Sequence, residues 1–127
     1  QYRRELEQEQ VSPLRVQQLL AKVPVWRARG LRVFAFRPPS TPAMEALEDE
    51  LSQLNYKDLA RDLTAAGVIW IETRSEPYRS YDGSHLDAAS AERFSEELGG
   101  RIEKSLINPL APPGPDTILQ TSPILHQ

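Results

Sequence analysis

Apolar positions along this chain follow a helical period, then close up into a short continuous block, and the sequence of patterns then repeats. Leu14, Val16, Leu19, Leu20, Val23 and Trp26 fall largely on one face at helical spacing. Ser12-Pro13 precedes them as an N-cap followed by proline in the first turn. Pro24 lacks an internal donor and predicts a kink or a division of that helix, and Gly30 predicts its end. Residues 31–36, LRVFAF, are β-branched and aromatic and read as a strand closed by Arg37-Pro38-Pro39. Thr41-Pro42 opens a second helix on which Met44, Leu47, Leu51 and Leu54 recur every three or four residues. Its acids Glu45, Glu48, Asp49 and Glu50 sit early, where the helix dipole favours them. After a break near Asn55, Leu59 and Leu63 continue a helical face up to Gly67, and residues 68–72, VIWIE, read as a second strand. A polar loop over 73–84 leads to a last helix capped by Asp87, with Ala91, Phe94, Leu98, Ile102 and Leu106 on its face despite Gly99-Gly100.

Strands alternating with helices predict an α/β fold with parallel pairing and right-handed crossovers. At 127 residues the chain has room for one small core. We divide it into a linker or frayed helix over 1–11, an α/β unit over 12–107, and a Pro-rich tail over 108–127 expected to be disordered. Two parallel strands make a poor sheet, because parallel sheets are normally larger and covered on both faces. LRVFAF therefore reads as an inner strand whose other edge pairs with a missing N-terminal segment or a second copy. Gln1 in place of an initiating Met agrees with a piece of a longer or processed polypeptide.

Composition narrows the partners. The absence of cysteine excludes a disulfide framework and thiolate metal sites. A net charge of −3, with both signs mixed along the helices and no basic stripe, argues against nucleic acid. No apolar run approaches a membrane span, and no signal peptide is recognisable.

The chemistry concentrates in Tyr81-Asp82-Gly83-Ser84-His85-Leu86-Asp87. An Asp and a His three residues apart, between a strand and a helix, can set a carboxylate against an imidazole, the orienting half of a Ser-His-Asp site. The second ring nitrogen then faces the C-terminal ends of the strands, where open α/β sheets build their sites. The plainer alternative is an ordinary turn with Asp82 as its cap. Asp82, His85, Asp87 and Glu72 also make an oxygen-rich set, but their spacing matches no standard metal motif, so neither a metal nor an organic cofactor is implied. Ser40, Ser80 and Ser84 are the local hydroxyls, and each reads better as a turn or cap residue than as a nucleophile. Arg37 is a candidate substrate-binding residue at the end of LRVFAF, against the alternative of a surface salt bridge. Trp26 and Trp70 read as packing residues, and His126 has no evident partner.

The run YDGSHLDAASAERFSEEL resembles the last block of SGNH (GDSL-type) hydrolases, in which Asp-x-x-His lies just before the C-terminal helix. Its DGSHL wording is closest to the branch of the alginate O-acetylation proteins and related bacterial cell-envelope proteins. The layout of RARG, LRVFAFRPP and GVIWIE is similar as well, so the resemblance covers roughly residues 13–106. It implies the C-terminal portion of a flavodoxin-like SGNH fold, with Asp82 as the triad acid and His85 as the general base. It also implies a serine esterase or O-acyltransferase acting on an acylated carbohydrate or small ester, outside the bacterial cytoplasm. The family's Gly-Asp-Ser nucleophile block and its oxyanion glycine and asparagine lie upstream of such a block and are absent from these residues. The chain alone is then expected to be inactive. The alternative is a non-catalytic binding or scaffolding module on a degenerate half-fold.

Overall fold

The computed structural model describes Arg4 and residues 10–107, so the expectations for the N-terminal linker, the Pro-rich tail and His126 fall wholly or largely outside the described residues. Helix α1 spans Pro13–Ala28, strand β1 Phe34–Phe36, helix α2 Pro42–Ser52 and helix α3 Tyr56–Ala66. Strand β2 spans Ile69–Ile71, and helix α4 Ala88–Ile107. The strands pair in parallel, with Phe34 opposite Ile69, Ala35 opposite Trp70 and Phe36 opposite Ile71. The mixed α/β class read from the sequence is therefore present, with a two-stranded parallel sheet among the described residues.

Strand alternation divides the side chains between two faces. Ala35 and Trp70 pack, with Val33, Leu20, Trp26 and Leu59, against a core of Val23, Leu63 and Val68 carried by α1, α3 and the entry to β2. On the other face Phe36 meets Phe94 of α4, ring centroids 5.8 Å apart. Helices thus cover both faces, as parallel strands require.

Both strands are shorter than LRVFAF and VIWIE suggest, and the reason is the way the preceding helices end. Past α1, Gly30 takes φ 83°, donates to the Arg27 carbonyl, and the Leu31 N–H reaches back to Trp26. Past α3, Gly67 takes φ 100° and donates to Thr64 while the Val68 N–H reaches Leu63. These are Schellman motifs, with glycine at the left-handed position. Leu31 and Val68 spend their amides on the helix behind them, so pairing starts later, at Ile69 N–H to Val33 O, 2.8 Å.

Pro24 does not divide α1, which runs unbroken to Ala28. Val23 beside it is fully buried, and that packing offsets the missing hydrogen bond. Thr41 and Asn55 cap α2 and α3 by accepting from Met44 N–H and Asp58 N–H. Asp87 caps α4, its Oδ1 accepting from Ser90 N–H at 2.8 Å. Hydrogen bonds from the Ser90 amide and hydroxyl hold the Asp87 carboxyl below its ordinary pKa, outweighing partial desolvation, with Arg79 and Arg93 adding to the lowering. At the far end of α4, Arg32 donates to the Ser105 and Leu106 carbonyls, a cation placed where the dipole is negative.

Candidate functional site

The segment between β2 and α4 folds into a turn closed mainly by its own side chains. Asp82 Oδ1 accepts from Ser84 N–H at 2.9 Å and from His85 N–H at 2.7 Å, an Asx-type turn. Gly83 supports it at φ 91°, a conformation that favours glycine. The Ser80 hydroxyl accepts from Gly83 N–H and donates to His85 O, both at 2.7 Å. Ser80 and Leu86 form an antiparallel bridge, and Asp87 N–H donates to Arg79 O. A buried Ser90 hydroxyl accepts from Arg79 N–H at 2.8 Å and ties the turn to α4.

With both backbone bonds on Oδ1, the second oxygen of Asp82 is directed at the imidazole, Oδ2 to His85 Nδ1 being 2.7 Å. A carboxylate facing Nδ1 favours the tautomer with the proton there, which leaves Nε2 as the acceptor. Tyr81 stacks on the His85 ring at 5.9 Å, and the His85 side chain is 62 % exposed, so the ring is oriented but open to solvent. The contact has the geometry that a general base and its orienting carboxylate need.

The turn is fastened to the loop leaving the C-terminal end of β1. Thr41 Oγ1 donates to Gly83 O at 2.8 Å, from the same residue that caps α2. Replacing Thr41 by Val keeps the shape but removes the cap and this bond, and should cost about 1–2 kcal/mol. A urea melt of T41V matching the parent's would show that the turn does not depend on Thr41.

Beside this junction lies a groove of about 330 Å³, lined among others by Arg37, Pro39, Ser40, Glu48, Tyr56 and Ser84. Arg37 stands in its wall but is already engaged. Its Nη2 meets Glu48 at 3.0 Å and donates to Glu45 O at 3.1 Å, its Nη1 meets Asp49 at 3.0 Å, and its guanidinium lies 4.0 Å over the Tyr56 ring. Burial pulls the Arg37 pKa down, but the Glu48 hydrogen bond and the charges of Tyr56, Asp49 and Glu45 outweigh it, and the net shift is upward. Burial, opposed by Arg37 and aided by Glu48, Asp49 and Glu45, raises that of the Tyr56 phenol.

The structure therefore brings Asp82 and His85 together and leaves Arg37 apart, in an acidic cluster. Glu72 has moved to another use, its carbonyl accepting from Arg101 of α4. Ser80 serves the turn, Ser84 donates its amide to Asp82, and Ser40 is buried. Among the described residues none of these hydroxyls is hydrogen-bonded to the His85 ring. Thr41 and Tyr81 contribute beyond what the sequence reading assigns them: Tyr81, the first residue of the motif, stacks on the His85 ring, and Thr41, read only as a helix opener, makes a contact that spans 42 positions and leaves no local signal.

No family model, curated protein or solved structure matches this chain. Among the described residues no group of three or more His, Asp or Glu is placed to hold a metal ion, and no helix is long and apolar enough to cross a membrane.

Proposed function

We propose that this chain supplies the acid–base half of a serine ester hydrolase or O-acyltransferase of SGNH type, with Asp82 orienting His85 and His85 moving the proton. The observation that carries the reading is the 2.7 Å contact between Asp82 Oδ2 and His85 Nδ1, held by two backbone bonds on the other carboxylate oxygen. The attacking serine and the oxyanion donors come from polypeptide outside these 127 residues, seated over the exposed face of His85. Strand β1 pairs on one side with β2, and its other edge is where a further strand, from an upstream segment or another copy, would complete the sheet. In the reaction Nε2 takes the serine proton as Oγ attacks the acyl carbonyl. The imidazolium, steadied by Asp82, then returns that proton to the departing alcohol, leaving an acyl-serine for water or a second alcohol. The substrate is an ester-linked acyl group, acetyl on a carbohydrate in the first instance, at a bacterial envelope location suggested by the sequence resemblance alone.

Labelling by a fluorophosphonate tests this in the protein encoded by the complete reading frame. The serine should be modified within minutes, and His85→Ala should abolish the labelling while leaving the circular dichroism unchanged. Undiminished labelling of H85A, or its absence from the parent, would hand the chain to the scaffolding alternative.

A further inference from the structure

Helix α1 is apolar on two sides. Leu20, Val23 and Trp26 face the core. Leu14, Gln18, Ala21, Val25 and Ala28 are all exposed, Leu14 by 62 % and Val25 by 51 %. At about 100° per residue this second set lies about half a turn from the first. Its members follow one another by 4, 3, 4 and 3 residues, the spacing of a coiled-coil seam, with the polar Gln18 inside it.

Charge on this helix is one-sided as well. Residues 10–32 hold five basic residues and no acid, so the mixing of signs expected along the helices fails here, in a chain whose net charge is −3. Arg15, Lys22 and Arg29 recur every seventh residue along one flank of the seam, about 10 Å apart. All three are exposed, and none makes an ion pair among the described residues. The other flank, Gln17 and Pro24, is uncharged.

That pattern selects among possible occupants. A second copy paired along this seam would set the cationic flank against itself or against Gln17 and Pro24, with no acid on either side to meet it. A lipid surface calls for a broad, bulky apolar face, whereas the middle of this seam is Gln18 and Ala21. Phosphates alone would use the cations and leave Leu14 and Val25 in water. A helix with its own apolar stripe and acids beside it satisfies both features at once. The small Ala21 and Ala28 allow its axis to approach closely.

We infer that the outer face of α1 docks an acidic amphipathic helix of a separate polypeptide, packed along Leu14, Ala21 and Val25, with carboxylates facing Arg15, Lys22 and Arg29. The inference goes beyond the proposed ester chemistry and uses neither Asp82 nor His85.

The test is a fluorescence-anisotropy titration of the 127-residue chain into two labelled synthetic peptides of about four heptads, long enough to hold a helix. Both carry Leu and Ile at the seam positions, one with Glu and the other with Lys on the flanks. The Glu peptide should bind saturably, about tenfold or more tighter than the Lys peptide, and more weakly as salt is raised. Val25→Asp should weaken it by about tenfold or more, and Lys22→Glu should weaken it by about fivefold while strengthening the Lys peptide. His85→Ala should change nothing here, which separates this result from any failure of the catalytic reading. Absence of saturable binding by the Glu peptide would overturn the inference, as would equal binding of the two peptides, a readout that needs no variant to fold. Two further results would overturn it by giving the seam to another occupant. One is binding to phosphatidylglycerol vesicles that is lost in Val25→Asp. The other is self-association of the chain alone in sedimentation, abolished by the same substitution.

Discussion

Asp82→Asn should lower ester turnover by the serine-bearing protein by about 10³–10⁴-fold while leaving the turn folded. The asparagine carbonyl still accepts from the Ser84 and His85 amides, because those bonds need one acceptor oxygen only. Its amide group, however, now faces Nδ1 with donors in place of acceptors. The imidazole must answer with its other tautomer, which puts the proton on Nε2 and removes the acceptor that the proposed mechanism uses. His85→Ala should cost a similar factor, and the double variant little more than either single one, because the two residues act as a unit. Steady-state rates on a chromogenic acetate ester check this, and the loss should lie in kcat with KM little changed. Multiplying effects in the double variant would show that the pair does not work together.

Leu63→Ala should cost about 2–5 kcal/mol, a large share of the about 5–15 kcal/mol that holds a small domain folded. Leu63 is 4 % exposed and packs with Val23 and Val68 where α1, α3 and the start of β2 meet. Few other residues are buried: Met44 and Ile71 complete the apolar set among the described residues. A core this small has little with which to refill a cavity, so the loss should fall in the upper part of that range. Leu19→Ala, on the exposed side of α1, should stay within about 0.5 kcal/mol. Urea denaturation of both variants gives the comparison. Equal midpoints would mean that the layer between α1, α3 and the sheet does not carry the stability.

What the sequence disclosed and what it withheld divide by distance along the chain. The helices were legible because their caps and apolar spacing lie within a turn or two: Thr41 and Met44, Asn55 and Asp58, Asp87 and Ser90. The Asp82–His85 contact was legible for the same reason, being closed within three positions. Strand ends were not, because Leu31 and Val68 look like strand residues and yet give their amides to helical carbonyls. Pro24 misled because the cost of a missing donor is visible in the sequence and the compensating burial of Val23 is not. The fate of Arg37 depended on α2 folding back to bring Glu48 and Asp49 to it, and no local pattern announces that approach.

The turn over 80–87 has one further consequence. Because the Ser80 hydroxyl takes the Gly83 amide and the Asp82 carboxylate takes the Ser84 and His85 amides, with Thr41 as the tether from the first strand's loop, the geometry of the pair is set within the turn and not by the width of the sheet. Such an arrangement is portable. Grafted between the last strand and last helix of an unrelated parallel scaffold, with a threonine at the matching corner, it should carry its aligned imidazole along intact.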